Sequence, residues 1–254
     1  MSSVKERLKR GKASFGTWQM IGNNTISEVL CQSGFEWVTI DLEHTGISIS
    51  EALDMIRVID LCGKVPAVRV SSNDETIIKR VLDSGAKIII VPMVNSKEEA
   101  VKAVNAMNYP PIGTRGVGLA RAQEYGTGFE KYKKNFEKQA ILIVQIESIH
   151  AIDSLEEILL VEGVDGSMIG PYDLSGSLGC PGEFESMEFE AAIKRYEKVS
   201  KKVGKAMGYH IVKPDIDKVK EYVGRGYQFI AVGFDAFFLK NACCNIIEKI
   251  REEI

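Results

Sequence analysis

The sequence predicts an α/β protein and, within that class, a (β/α)8 TIM barrel. Three observations carry the prediction. Short runs rich in Val, Ile and Phe alternate with longer amphipathic stretches along all 254 residues, and strand–helix alternation demands a parallel sheet. The short runs are apolar on successive residues, the pattern of strands covered on both faces. The unit repeats about eight times with no Ser/Gly linker or shift of composition. One domain over 1–254, closed into a barrel, therefore fits better than an open doubly wound sheet.

Taken in order, strands are expected at 14–20, 37–41, 65–70, 87–91, 140–146, 166–169, 206–210 and 228–232. Apolar residues at i, i+3 and i+4 mark helices at 25–33, 50–61, 74–84, 96–107, 149–160, 188–203, 215–224 and 236–254. Ser96 followed by Glu99 has the capping-box spacing of a helix start. Gly34, Gly85, Gly204 and Gly226 stand where helices would end. Two connections, 109–135 and 171–187, are long for a barrel, and such loops tend to be functional or lid-like.

Composition narrows the function. The chain is 45% hydrophobic and 26% charged, with Lys+Arg 32 against Asp+Glu 35 and a formal net charge of −3. A disordered chain would be poorer in apolar residues, and a nucleic-acid partner would call for a basic domain. No uncharged apolar run approaches the ~20 residues that cross a bilayer. The basic start over 1–10 is not followed by the apolar core of a signal peptide. A cytoplasmic protein with no membrane or nucleic-acid partner is expected. Cys31, Cys62, Cys180, Cys243 and Cys244 are odd in number and scattered, which reads as reduced structural thiols.

Active sites of barrels lie at the C-terminal ends of the strands, so polar residues just after each strand are the site candidates. They are Asp41, Glu43 and His44 after the second strand, Arg69 ending the third, and Gln145, Glu147 and Ser148 after the fifth. Pro171, Tyr172 and Asp173 follow the sixth strand, and His210 ends the seventh. Glu147 and Asp173 come from adjacent strands, and two nearby carboxylates need a cation or a shared proton to coexist. Oxygen-only ligation with open positions suits Mg²⁺ or Mn²⁺. The structural alternative is a surface Glu and a helix N-cap Asp. His44, beside two acids, has the setting of a general acid or base. Arg69 must face a carboxylate or a substrate oxyanion, because an unpaired charge ending an apolar strand is expensive. Lys64, Lys87 and Lys205 fall at the N-terminal ends of strands, which disfavours a Schiff-base mechanism. Asp83, on the helix after the third strand, carries no signal of its own.

The strings Asp41-Leu-Glu-His44, Tyr109-Pro-Pro-Ile-Gly-Thr-Arg-Gly116, Ala120-Arg-Ala122, Gln145-Ile-Glu-Ser148 and Gly170-Pro-Tyr-Asp-Leu-Ser175 together resemble the HpcH/HpaI aldolase/citrate lyase family, from about Gly16 to Gly233. The chain looks most like the branch that cleaves 4-hydroxy-2-oxo acids, such as 4-hydroxy-2-oxoheptanedioate and 2-dehydro-3-deoxyglucarate, to pyruvate and an aldehyde. The resemblance implies a barrel whose last helix packs on a neighbouring subunit of a homo-oligomer, a trimer or hexamer. It also implies class II chemistry with a divalent metal, Mg²⁺ or Mn²⁺ with Co²⁺ as a further candidate. By motif, Glu147 and Asp173 would hold the metal, His44 would be the acid/base residue, and Arg69 would stabilise the enolate. Asp83 would pair with His44, and Gln145, Pro171 and Tyr172 would line the substrate site with Arg69. The chain departs from the family pattern at Phe184-Glu-Ser-Met187 and at Gly208-Tyr-His210, where a leucine-like residue is usual. Both departures fall in the half of the site that selects the aldehyde. Two rivals remain: a coenzyme-A ester lyase of the citrate lyase beta type, which needs a basic groove, and a non-catalytic protein that only holds a 2-oxo acid.

Overall fold

β-Branched runs form strands where their stiff side chains pack on a pleated surface. In the chain, described over residues 3–254 by a computed structural model, eight such runs do so. The elements run α1 (Val4–Lys9), β1 (Ser14–Gln19), α2 (Asn24–Gln32), β2 (Trp37–Asp41), α3 (Ile49–Leu61), β3 (Val65–Arg69), α4 (Glu75–Ser84) and β4 (Ile88–Val91). They continue with α5 (Lys97–Met107), a 3-10 segment (Arg121–Gly126), α6 (Phe129–Gln139), β5 (Ile141–Ile146), α7 (Ile149–Asp153), α8 (Leu155–Leu159) and β6 (Gly166–Ile169). The last are α9 (Pro171–Ser177), α10 (Met187–Val203), β7 (Ala206–Ile211), α11 (Ile216–Arg225), β8 (Phe229–Phe234) and α12 (Asp235–Glu253). All neighbouring strands pair in parallel, and β8 closes on β1. The protein is a (β/α)8 TIM barrel.

The period-2 alternation of the strands sorts residues into two cores. Val38, Ile40, Val68, Ile89, Leu142, Val144 and Ile146 face the helices. Trp18, Trp37, Ala67, Ile88, Ile90, Ile141, Ile143, Met168, Phe229 and Ala231 fill the barrel. Trp37 stacks on Phe229 with ring centroids 4.0 Å apart, which needs Gly16: a Cβ there would lie 2.0 Å from the indole. Val4 and Leu8 of α1 join this inner core. Continuing the same alternation beyond the packed layers brings Asp41, Arg69, Gln145 and His210 to the C-terminal mouth.

Several details differ from the sequence expectations. Helix α1 was not expected, because only Val4 and Leu8 mark its buried face. The expected helix at 149–160 is two short ones, meeting at Ser154. The 109–135 stretch is not a lid over the C-terminal mouth. It follows a helix, so it lies at the opposite end of the barrel, where Arg121 pairs with Asp60 beside Lys87. Ser96 does cap the Glu99 N–H at 3.2 Å, but the Glu99 carboxylate takes the N–H of Asn95 instead of closing the box. All five cysteines are free, with Cys62 and Cys243 exposed, not packed in apolar surroundings. Among the described residues, no helix is long and apolar enough to cross a membrane.

Helix α12 buries only Asp235. Leu239, Ile246, Ile247 and Ile250 stand exposed along it. Asp235 itself secures the closing seam, accepting N–H bonds from Met20 and Ile21 at 3.0 and 2.8 Å.

Candidate active site

The register that pairs β2 with β3 sets Asp41 beside Arg69. Asp41 is wholly buried and takes the guanidinium in a fork, Nε at 2.9 Å and Nη2 at 2.7 Å. Arg69 Nη1 lies 3.0 Å from Glu43, and the guanidinium sits over Trp18 at 5.5 Å. Burial opposes the Arg69 charge, but the hydrogen bonds and charge of Asp41, with Glu43 and Glu147, outweigh it and raise its pKa. The ion pair across the mouth, the structural role foreseen for Arg69, is therefore present, while Arg69 also lines the cavity.

Glu147 projects one residue beyond β5 and is buried. Its Oε1 accepts the Met93 N–H at 2.6 Å and its Oε2 the Gln145 amide at 2.8 Å. Met93 adopts φ 52 to aim that N–H, a left-handed conformation costing about 1–2 kcal/mol in a residue with a Cβ. Gly170 keeps the space open, since a Cβ there would lie 2.8 Å from Glu147 Oε2. Burial pushes the Glu147 pKa up to about 7; the Met93 N–H opposes this, and the charges of Glu43 and Asp173 reinforce it. Burial also raises the pKa of Glu43, against Arg69 and with Asp41 and Asp173 adding to it.

A cavity of about 330 Å³ opens here. His44, Arg69, Gln145, Pro171, Tyr172 and Asp173 all line it, and Trp18, His210 and Val212 are also part of its wall. His44 is mostly exposed, its Nε2 3.7 Å from Glu43. Asp173 stands exposed in the first turn of α9. The structure does not bring Asp83 to His44 within one chain. Asp83 lies at the far end of α4, a helix about 15 Å long. There it binds the fully buried Arg115 at 2.6 Å and Gln123 at 3.1 Å. Arg115 stacks over Tyr109 and also donates to Tyr132, so this cluster anchors the 109–126 segment. Trp18 and Met93 were not found from sequence. Trp18 reads as an ordinary core residue, and Met93 acts through its backbone.

The donors fit a hard divalent cation. Asp41, Glu43, Glu147 and Asp173 bring four carboxylates around the single guanidinium of Arg69. The buried Gln145 Oε1 has no hydrogen-bond partner among the described residues, and Glu43 Oε2 has only the Arg69 guanidinium, its Nη1 3.0 Å away. No three His, Cys, Asp or Glu side chains form a preformed cage among the described residues. A cation resting on Glu147 and Asp173 would complete its shell with water or substrate oxygens, as Mg²⁺ commonly does.

Known proteins resemble this chain along nearly its whole length. A 2-keto-3-deoxy-L-rhamnonate aldolase of Escherichia coli O17:K52:H18 is 36% identical over 240 residues, spanning 94% of this chain and 89% of that protein. An HpcH/HpaI aldolase/citrate lyase family protein from Burkholderia cenocepacia J2315 superposes with TM-score 0.92 at 30% identity, covering 98% of each chain. The HpcH/HpaI aldolase from Desulfitobacterium hafniense DCB-2 gives 0.90 at 26% identity over 99% of this chain and 98% of that one. Fold and relatives together define a TIM-barrel carbon–carbon lyase of the aldolase type. The profile of the HpcH/HpaI aldolase/citrate lyase family matches residues 14–242, and the chain belongs to that family.

Proposed function

We propose that the protein is a metal-dependent class II aldolase that cleaves a 4-hydroxy-2-oxo acid to pyruvate and an aldehyde. The substrate would be of the 4-hydroxy-2-oxoheptanedioate, 2-dehydro-3-deoxyglucarate or 2-keto-3-deoxy-L-rhamnonate kind. One observation carries the reading: Arg69, Gln145, Asp173 and His44 share a single cavity, and Glu147 is hydrogen-bonded to Gln145. A Mg²⁺, Mn²⁺ or Co²⁺ ion held by Glu147 and Asp173 would supply Lewis-acid polarisation of the 2-oxo acid.

The chain's own groups do the rest. His44, open to solvent, takes the C4 hydroxyl proton through a water. The C3–C4 bond then breaks, its electron pair stays with C3, and the aldehyde leaves. Arg69 is locked by Asp41 and cannot swing, so its charge is preorganised beside the developing enolate. The proton that His44 took, returned through water to C3, gives pyruvate and restores the neutral base. Gln145, Pro171 and Tyr172 shape the remainder of the pocket.

The reading includes a cytoplasmic homo-oligomer, a trimer or hexamer, in which α12 packs on a neighbouring copy. Its uncovered Leu239, Ile246 and Ile250 support that arrangement, and five free thiols support the compartment. Coenzyme-A chemistry has less support. The groove beside the cavity carries Lys194, Lys213, Lys218 and Arg225 but also Glu183, Glu185, Glu190, Glu197 and Glu221, a poor match for a polyanion. The test is aldol addition of pyruvate to a panel of aldehydes with each metal. Product is expected with at least one pair, and none across the panel would overturn the reading.

A further inference from the structure

The cavity continues past Pro171, Tyr172, His210 and Val212 into a groove of about 1170 Å³ between α10 and α11. Those four residues border both spaces. A substrate with its 2-oxo acid end at Glu147 and Asp173 must therefore lead its aldehyde half between them. Pro171 and Val212 offer only hydrocarbon, and Tyr172 stands on the exposed side, packed edge-on against Phe184.

His210 is different, because its ring is fixed at two points. It stacks on Trp18, centroids 4.7 Å apart and planes 16° apart, and its Nε2 lies 3.1 Å from the Gly233 carbonyl. A carbonyl oxygen only accepts, so Nε2 carries the proton and Nδ1 presents a lone pair. No described residue donates to Nδ1. Burial holds the imidazole neutral against the Gly233 carbonyl, and Arg69 adds to the effect, so its pKa is pushed down to about 4. The junction thus holds a rigid hydrogen-bond acceptor with nothing of the protein's own to accept from.

We propose that His210 is the specificity-determining residue for the aldehyde half of the substrate, its Nδ1 accepting a hydrogen bond from the hydroxyl on C5, one carbon beyond the cleaved C3–C4 bond. The preferred aldehydes are then 2-hydroxyaldehydes. This rests on the aldolase reading above. A hydroxyl that surrenders its water to Nδ1 is compensated, whereas a methyl in its place leaves the ring nitrogen desolvated and unpaired.

The test uses glycolaldehyde and propanal, which differ by a hydroxyl in place of a methyl. The ratio of their kcat/KM values with pyruvate is compared between wild type and variants, so intrinsic reactivity cancels. His210→Phe keeps a ring on Trp18 without an acceptor, and His210→Leu repeats the test without the ring. Either should lower the glycolaldehyde preference about tenfold, the worth of one hydrogen bond. His210→Asn, whose amide oxygen accepts, should restore part of it. An unchanged ratio in an active His210→Phe or His210→Leu variant overturns the proposal alone, and so does an equal collapse with both aldehydes, which would make His210 a general catalytic group. A wild type inactive with every aldehyde would instead bring down the aldolase reading and the proposal with it.

Discussion

The two ends of the barrel treat charge in opposite ways. At the N-terminal end Lys5, Asp60, Lys87, Arg121 and Lys205 each close on a protein partner. Lys5 takes Asp165 at 3.0 Å and the Ala140 carbonyl at 2.5 Å. Asp60 holds Lys87 at 2.7 Å and Arg121 at 2.6 Å, and Lys205 caps the Val164 carbonyl at 2.6 Å. A cavity of about 320 Å³ lies there too, yet the Asp60, Lys87 and Arg121 that line it already satisfy one another. At the C-terminal end four carboxylates surround one guanidinium, and the buried Gln145 Oε1 has no hydrogen-bond partner among the described residues. Paired charge fixes a fold, whereas unpaired buried charge is costly and is retained where a ligand completes it.

The comparison is broken most severely at the carboxylates. Glu147→Ala or Asp173→Ala should abolish aldol activity, because either leaves one protein carboxylate for the cation. Excess EDTA should do the same to the wild type, with recovery on adding Mg²⁺ or Mn²⁺. Full turnover in EDTA would show that the charge imbalance serves something other than a metal.

Next comes the proton. His44→Ala should leave pyruvate binding in place and lower kcat by about 10²–10⁴, the worth of a positioned general base. Steady-state kinetics with a saturating aldehyde distinguishes this from lost affinity, and normal turnover would move the role to another group.

At the opposite end the effect should fall on stability. Asp60→Asn should lower Tm by roughly 2–4 °C, about 1 kcal/mol, and leave kcat/KM as it was. Burial would raise the Asp60 pKa, but Lys87 and Arg121 outweigh it and hold it below 3.8. A carboxyl depressed in the folded state contributes fully above its unfolded pKa and loses that contribution as pH falls through the folded one. Thermal melts should therefore show the gap between wild type and Asp60→Asn closing as pH drops below 3.8. A gap that widened in acid would contradict the pairing.

What could be read from sequence follows the strength of the local signal. The strand positions were legible because Val38, Ile40, Ile88–Val91 and Ile141–Ile146 form dense apolar runs covered on both faces. Helix α6 was not, since Phe129, Tyr132 and Phe136 alone mark its apolar side within a charged segment. The long 109–135 stretch was legible as an insertion, but not its end of the barrel, although its place after a helix gives that. At the site, Arg69 and Gln145 stand out as polar residues at the ends of apolar strands, and Glu147 and Asp173 as acids just after them. Met93 cannot, because it contributes a backbone N–H that any residue carries. Asp83 entered only through the family resemblance, and its contacts in a single chain are with Arg115 and Gln123.

The smallest expected effect is none at all, and it separates two mechanisms of aldol chemistry. A Schiff-base aldolase joins pyruvate to a lysine as an imine, which borohydride reduces irreversibly. Such a lysine must be desolvated to be nucleophilic at neutral pH. Lys64, Lys87 and Lys205 each precede a strand, so they begin at the far end of the barrel, where Lys87 pairs with Asp60 and Lys205 donates to the Val164 carbonyl. A strand of about five residues rises ~3.3 Å per residue, which sets them roughly 15 Å from Glu147 and Asp173, beyond the reach of a lysine side chain. Lys213 is on the nearer side, but it stands exposed in the outer groove and keeps its water. Treatment with pyruvate and borohydride should therefore leave both activity and intact mass unchanged. A pyruvyl adduct on any lysine, mapped by mass spectrometry, would overturn the metal–enolate mechanism while leaving the barrel as it is.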